Sequence, residues 1–244
     1  MYSFAYHRPT SLAEVKSLLG QVEEARLLAG GQTLIPTLKQ RLASPDAVID
    51  LKGIAALDRA ERKGEALAIG ALARHAAVAA SPLVRQAIPA LASLAAGIGD
   101  PQVRNRGTLG GSIANNDPAA DYPAALVGLG ATVTTSERVV AADDFFTGLF
   151  ETDLEPGEIV TSVSFPIPRR AVYVKFPNPA SRYAIVGIFL AETAGGVRVA
   201  VTGAGPCVFR LSAAEAALAR AFAPASLDDL RTVSYTHLTL PTIL

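Results

Sequence analysis

Apolar positions along the chain change their spacing several times, and each change predicts an element. Leu12, Val15, Leu18, Leu19 and Val22 recur at the spacing of one helix face, behind a capping box made by Ser11 and Glu14. "ARLLA" then predicts a short buried strand ending at Gly30-Gly31, and Leu34, Ile35, Leu38 and Leu42 predict the apolar side of a second helix opened by Thr33. Pro36 falls in the first turn of that helix, where a missing N–H is tolerated. "AVIDL" at 47–51 and "ALAIG" at 66–70 read as further strands, so the opening of the chain has the rhythm of a small strand–helix–strand unit.

From Ser81-Pro82, an N-cap followed by a first-turn proline, an alanine- and leucine-rich helix is predicted to run to Gly97. The stretch from 97 to 123, "GIGDPQVRNRGTLGGSIANNDPAADYP", then loses all period. It is crowded with Gly, Asn, Asp and Pro, and reads as a long loop of the kind that is functional or disordered. Beyond it "ATVTT", "EIVTSVSFP", "AVYVKF", "AIVGIFLAET" and "VRVAVTGAG" alternate or carry β-branched residues, which predicts an antiparallel sheet, and Ser212 to Phe222 predicts a closing helix. A soft boundary falls near Pro168-Arg169, and no repeat stands out.

Composition narrows the function classes. The 244 residues are 50% hydrophobic with a net charge of zero, enough for a sizeable core and without the basic excess that nucleic-acid binding needs. Apolar runs are broken by charges, Gly or Pro, and "MYSFAYHRPTS" lacks the apolar core of a signal peptide, so the expected location is cytoplasmic. Cys207 is the single cysteine, which rules out building an iron–sulfur cluster from this chain alone. His7, His75 and His237 show no metal-ligand spacing, and no metal site is expected. The segment 233–244, "VSYTHLTLPTIL", differs in character from the rest. It reads as the translation of a sequencing-library adapter, with a genuine β-like terminus as the alternative; on the first reading the natural C-terminus is missing.

Two stretches carry candidate chemistry. Gly30-Gly31 before a helix start presents backbone N–H groups and the positive end of a helix dipole, a combination that binds phosphate; a plain turn has the same pattern. "RGTLGGSIANN" repeats the logic with Thr108, Gly110, Gly111, Ser112 and Asn115, and two such loops are expected to hold a diphosphate between them. GxGxxG and GxxxxGK[ST] are absent, which disfavours Rossmann and P-loop sites. Asp121 reads either as an acceptor for sugar hydroxyls or as a turn or cap residue. Arg104 and Arg106 read as positive potential or as local packing. Lys175, the one charge in "AVYVKF", points either to solvent by alternation or toward an electron-accepting ring. No acid–base pair or nucleophile is identifiable, so no catalytic residue is named.

With these residues in hand, the sequence resembles the FAD-binding medium subunit of the molybdenum hydroxylases, the xanthine dehydrogenase and aerobic carbon monoxide dehydrogenase family. The resemblance rests on "LAGGQTLIPTLK", "GALARHAAVAAS", "IGDPQVRNRGTLGGSIANNDPAADYPAAL", "LEPGEIVTSVSFP" and "AVTGAGP", in that order. It implies an α+β fold: an FAD-binding domain of the vanillyl-alcohol-oxidase type over 1–168, with subdomains at about 1–55 and 56–168. A small domain of antiparallel sheet plus helix follows over 169–231, truncated. By motif match, Ala29, Gly30, Gly31, Gln32, Thr33 and Leu34 are implied to contact the FAD diphosphate through their backbone. Thr108, Gly111, Ser112 and Asn115 are implied at the diphosphate or ribityl chain, and Asp121 at the polyol. Ile159 is implied near the flavin or adenine, Lys175 beside the isoalloxazine and Tyr183 as a further neighbour. His75 is read as a capping or packing residue.

The implied function is electron transfer: substrate is oxidised at a molybdenum cofactor on a large subunit, and electrons pass through an iron–sulfur small subunit to FAD here. From FAD they go on to a quinone, NAD or oxygen. The alternatives are a stand-alone flavin oxidoreductase of the same fold and an interaction subunit without cofactor.

Overall fold

The computed structural model describes residues 1–232; the segment 233–244, including His237, lies outside the described residues. The chain opens with β1 (Ala5–His7), α1 (Leu12–Gln21), β2 (Ala25–Leu28), α2 (Leu34–Lys39) and β3 (Ala47–Asp50). The three strands form a parallel sheet in the order β1-β3-β2. The capping box forms, with one variation: the Ser11 hydroxyl accepts from Glu14 N at 3.2 Å, while the Glu14 carboxylate reaches back to Thr10 N at 2.9 Å. Helix α2 stops at Lys39, Arg41 turns the chain at φ 61°, and Leu42, expected on the helix's apolar side, is exposed.

Next come β4 (Ala60–Lys63), β5 (Ala66–Gly70), α3 (His75–Ala80), α4 (Pro82–Ala87), α5 (Pro89–Ala96), α6 (Pro101–Arg104), α7 (Leu109–Asn115) and α8 (Tyr122–Leu129). They are followed by β6 (Thr132–Thr135), β7 (Val139–Ala141), α9 (Ala142–Phe145), β8 (Phe146–Gly148), β9 (Glu151–Thr152) and β10 (Val160–Pro166). The helix expected over Ser81–Gly97 is two helices, because Pro89 has no N–H to continue α4 and instead sits in the first turn of α5. The stretch read as a long loop contains α6 and α7. Each is too short to show a period, yet each has its cap: Asp100 accepts from Val103 N at 2.8 Å, and Thr108 accepts from Gly111 N at 3.2 Å.

The chain closes with β11 (Arg170–Pro177), β12 (Ala184–Thr193), β13 (Gly196–Thr202), β14 (Phe209–Arg210), α10 (Ser212–Arg220) and a 3-10 segment Pro224–Thr232. The single antiparallel sheet expected from sequence is divided. Strands β6 and β10 belong to a five-stranded sheet β4-β5-β10-β6-β7, and the last four strands form a separate sheet β11-β12-β13-β14. Pairing of Val163 with Ile69 joins segments far apart in sequence, which no local pattern reveals. β4 was missed because all four of its residues are exposed.

Helix α8 is buried at every position and packs against β10 on one side and against β12 and β13 on the other. One continuous core therefore runs from Leu67 and Phe165 through Leu126 to Phe189 and Ala200. A second cluster, Val15, Ile49, Leu51, Ile54, Leu57, Leu72 and Ile159, ties the parallel sheet to the five-stranded one. The cleft between these parts is where the glycine loops meet.

Candidate functional site

The first loop follows β2. Gly31 takes φ +74°, and a Cβ there would meet Ile35 Cγ1 at 2.9 Å, so glycine is required both by backbone angle and by space. Thr33 stands at the N-cap of α2 but makes no side-chain cap bond. Among the described residues, the N–H groups of Gly31, Gln32, Thr33 and Leu34 donate to no protein acceptor. Four adjacent free donors at a helix start form a concavity for an anion.

The second loop lies against the first. A Cβ on Gly30 would fall 2.3 Å from Arg106 O, so the two backbones approach as closely as glycine permits. Its donors, however, are mostly spent. Gly107 N donates to Val103 O, Leu109 N to Ala73 O, Gly110 N to Ala71 O, Ser112 N to Thr108 O, and Gly111 N to the Thr108 hydroxyl. The expectation that the two loops offer equivalent amide-lined hollows is thus corrected: the second brings backbone close, together with the Ser112 hydroxyl and the Asn115 amide, which have no partner among the described residues.

The loops open onto a cavity of about 500 Å³. Residues 29 to 34, Thr108, Gly111, Ser112, Asn115, Asp121 and Tyr183 all line it, whereas Lys175 and Ile159 do not. Lys175 is on the inward face of β11, and its ammonium lies 3.0 Å from Asp121 Oδ1. It also donates to Gly97 O at 2.8 Å and to Arg182 O at 3.1 Å. The solvent-facing reading of this lysine does not hold: its ammonium braces the cavity wall, while Val172, Val174 and Phe176 take the solvent side of the strand. The Tyr173 hydroxyl donates to Asp121 as well. Burial pushes the Asp121 carboxyl above its usual range, against the opposing pull of Tyr173 and Lys175.

Ile159 is buried away from the cavity, packed with Ile54 and Leu72. Those two residues line a second hollow of about 460 Å³, which adjoins the first at Thr108 and carries Lys52, Arg74 and Arg106 against Asp58. Arg104 is a bracing residue, donating to Ile98 O and Gly99 O at 3.0 and 2.9 Å. Sequence reasoning missed His75, Asp100 and residues 180–182 as cavity lining. His75 lay in a motif already singled out and Asp100 in the "GDP" cap, but residues 180–182 belong to a hairpin loop with no local signal.

The fold and the loops define a class of protein, and comparison with known proteins gives the family. A family model described as "FAD binding domain in molybdopterin dehydrogenase" matches residues 2–168. The glyceraldehyde dehydrogenase medium chain of Sulfolobus acidocaldarius is 40% identical over 194 residues, 77% of this chain and 69% of that protein. The carbon monoxide dehydrogenase medium chain of Hydrogenophaga pseudoflava is 36% identical over 220 residues, 85% of this chain and 77% of that protein. A solved structure of the Hydrogenophaga pseudoflava enzyme superposes with a TM-score of 0.86 at 36% identity, covering 92% of this chain and 83% of the other.

The chain belongs to the family of FAD-binding domains in molybdopterin dehydrogenases. It is an FAD-binding oxidoreductase subunit of the xanthine and carbon monoxide dehydrogenase type, with the α+β fold of the medium subunits. Among the described residues, no helix is long and apolar enough to cross a membrane.

Proposed function

We propose that this chain holds FAD across the two adjoining hollows and works as the electron-transfer subunit of a multi-subunit molybdenum hydroxylase. The observation that carries the reading is the convergence of both glycine loops on one cavity, with Gly30 in backbone contact with Arg106 and four free N–H donors alongside. A flavin dinucleotide has a flat ring system at one end, a nucleoside at the other and an anionic bridge between. It needs two adjoining recesses with donors for the bridge, and here the first hollow carries the free N–H groups of residues 31–34 while the second adjoins it at Thr108.

On this reading the N–H groups of residues 31–34 hold the diphosphate, Ser112 and Asn115 add polar contacts, and Asp121 accepts from the polyol. Tyr183 borders the flavin end. Ile159 floors the nucleoside end beneath Ile54 and Leu72. Lys175 acts from behind the wall by fixing Asp121, Gly97 and the 180–183 loop. FAD supplies the redox chemistry, and the chain supplies position, electrostatics and exclusion of water.

Because the chain has a single cysteine, the iron–sulfur clusters are assigned to a partner small subunit and the molybdopterin to a partner large subunit. A quinone, NAD or oxygen is the final acceptor, and the cytoplasm the working place. The division into domains at 1–168 and 169–231 remains part of the proposal, with a core that continues across residue 168 through α8.

The test is to purify the chain, strip it of flavin and titrate FAD while recording the visible spectrum and flavin fluorescence. Stoichiometric binding with perturbed flavin bands is the expected result. A protein that stays colourless and leaves free FAD fluorescence unquenched overturns the proposal.

A further inference from the structure

His75 heads α3 and is 5% exposed, and it lines the cavity beside the second glycine loop. Its backbone N–H donates to Gly107 O at 3.0 Å, and its ring is tilted against Tyr122 with centroids 5.4 Å apart. The imidazole itself is unpaired. Nδ1 is sealed from solvent without a partner, and Nε2 makes no hydrogen bond among the described residues. A histidine kept only for packing is expected to satisfy at least one ring nitrogen, since a buried unpaired polar group costs on the order of 1–3 kcal/mol. Nε2 faces the bare side of Gly107, where a Cβ would lie 2.5 Å from it.

We propose that His75 is a direct hydrogen-bond contact of the bound dinucleotide at the second glycine loop; this rests on the flavin reading above. It gives that loop the polar partner that its own internally bonded amides do not provide.

The surroundings of the ring give the proposal a signature. Burial, with the Arg104 guanidinium on α6 adding to it, pushes the imidazole down to about 4, so it is neutral in the free protein. The ring beside it is the Tyr122 phenol on α8, and Asp100, Asp117 and Asp121 line other parts of the cavity wall. Arg74 precedes it in the chain and lines the second hollow; Arg85 on α4 is engaged by Ala79 O; α5, which packs along α3, has no ionisable side chain. An anionic ligand beside Nε2 favours the protonated ring, so binding takes up a proton and affinity rises as pH falls.

The experiment titrates FAD into the flavin-free 244-residue chain at pH 8 and pH 5.5, with H75Q and H75L in parallel and thermal melts to verify folding. The wild type is expected to bind several-fold tighter at pH 5.5. H75Q, which keeps a donor but cannot titrate, should bind within a few-fold of wild type at pH 8 and show no pH dependence. H75L should lose about tenfold at pH 8. Wild-type affinity in H75L overturns the inference, as does a wild-type pH profile in H75Q, which decides the matter even if H75L fails to fold. If the wild type itself binds no FAD, the flavin reading falls first and this inference with it.

Discussion

The two glycine loops look alike in sequence and differ in what they offer. The first keeps the N–H groups of residues 31–34 free, because Thr33 does not cap α2 and no acceptor among the described residues takes them. The second, 107–112, is tied down at nearly every amide, its Thr108 hydroxyl capping α7. One loop is therefore a donor set and the other a rigid wall that lets backbone come close. A glycine pair marks a place where backbone is needed bare; whether for ligand binding or for packing is decided by what lies opposite.

The largest expected effect acts behind both loops. Lys175→Met leaves Asp121 buried without its cationic partner, and the chain should lose about 3–5 kcal/mol of stability in urea denaturation. If the loss is small, the clamp is dispensable and the loops alone shape the cavity. Acid is next. The His75 ring titrates at about 4 in the folded chain and near 6.5 when unfolded, so the folded state binds fewer protons in that window. Its contribution is complete above about pH 6.5 and is lost as pH falls toward 4, about 3 kcal/mol in all by the linkage relation. H75Q should flatten that part of the stability profile.

A smaller effect is expected at the contact between the loops. Gly30→Ala drives a methyl into Arg106 O, which should cost about 1–3 kcal/mol and weaken FAD at least tenfold, read by thermal melt and fluorescence titration. The finest comparison pairs the two threonines. Thr108→Ala removes a cap bond and should cost about 1 kcal/mol. Thr33→Ala removes no cap bond and should change stability by less than about 0.5 kcal/mol, with FAD affinity retained because the free backbone donors remain. Equal losses at the two positions would erase the distinction between the loops.

Much of the fold was legible along the chain: α1 with its Ser11 cap, the strand–helix–strand opening and the alternating strands after residue 130 all appear near their expected places. Helices α6 and α7 were not, since four and seven residues are too few to display a period, although Asp100 and Thr108 stood there as caps. Most of the implied site residues do line one cavity. Lys175 and Ile159 do not: the Lys175 ammonium turns inward and is taken up by Asp121, Gly97 O and Arg182 O behind the wall, and Ile159 is buried in the core.

The sequence by itself determined the local periods, the caps, the bare backbone at residues 30, 31, 110 and 111, and the poverty in cysteine that sends metal redox centres to other chains. Tertiary structure alone decided which amides stay free, which way Lys175 turns, and that the His75 ring nitrogens find no hydrogen-bond partner among the described residues. The physical reason is that period and backbone freedom are properties of neighbouring residues. Hydrogen-bond satisfaction and burial depend on groups that fold in from distant parts of the chain, as Gly97 O, Asp121 and Arg182 O do around one ammonium.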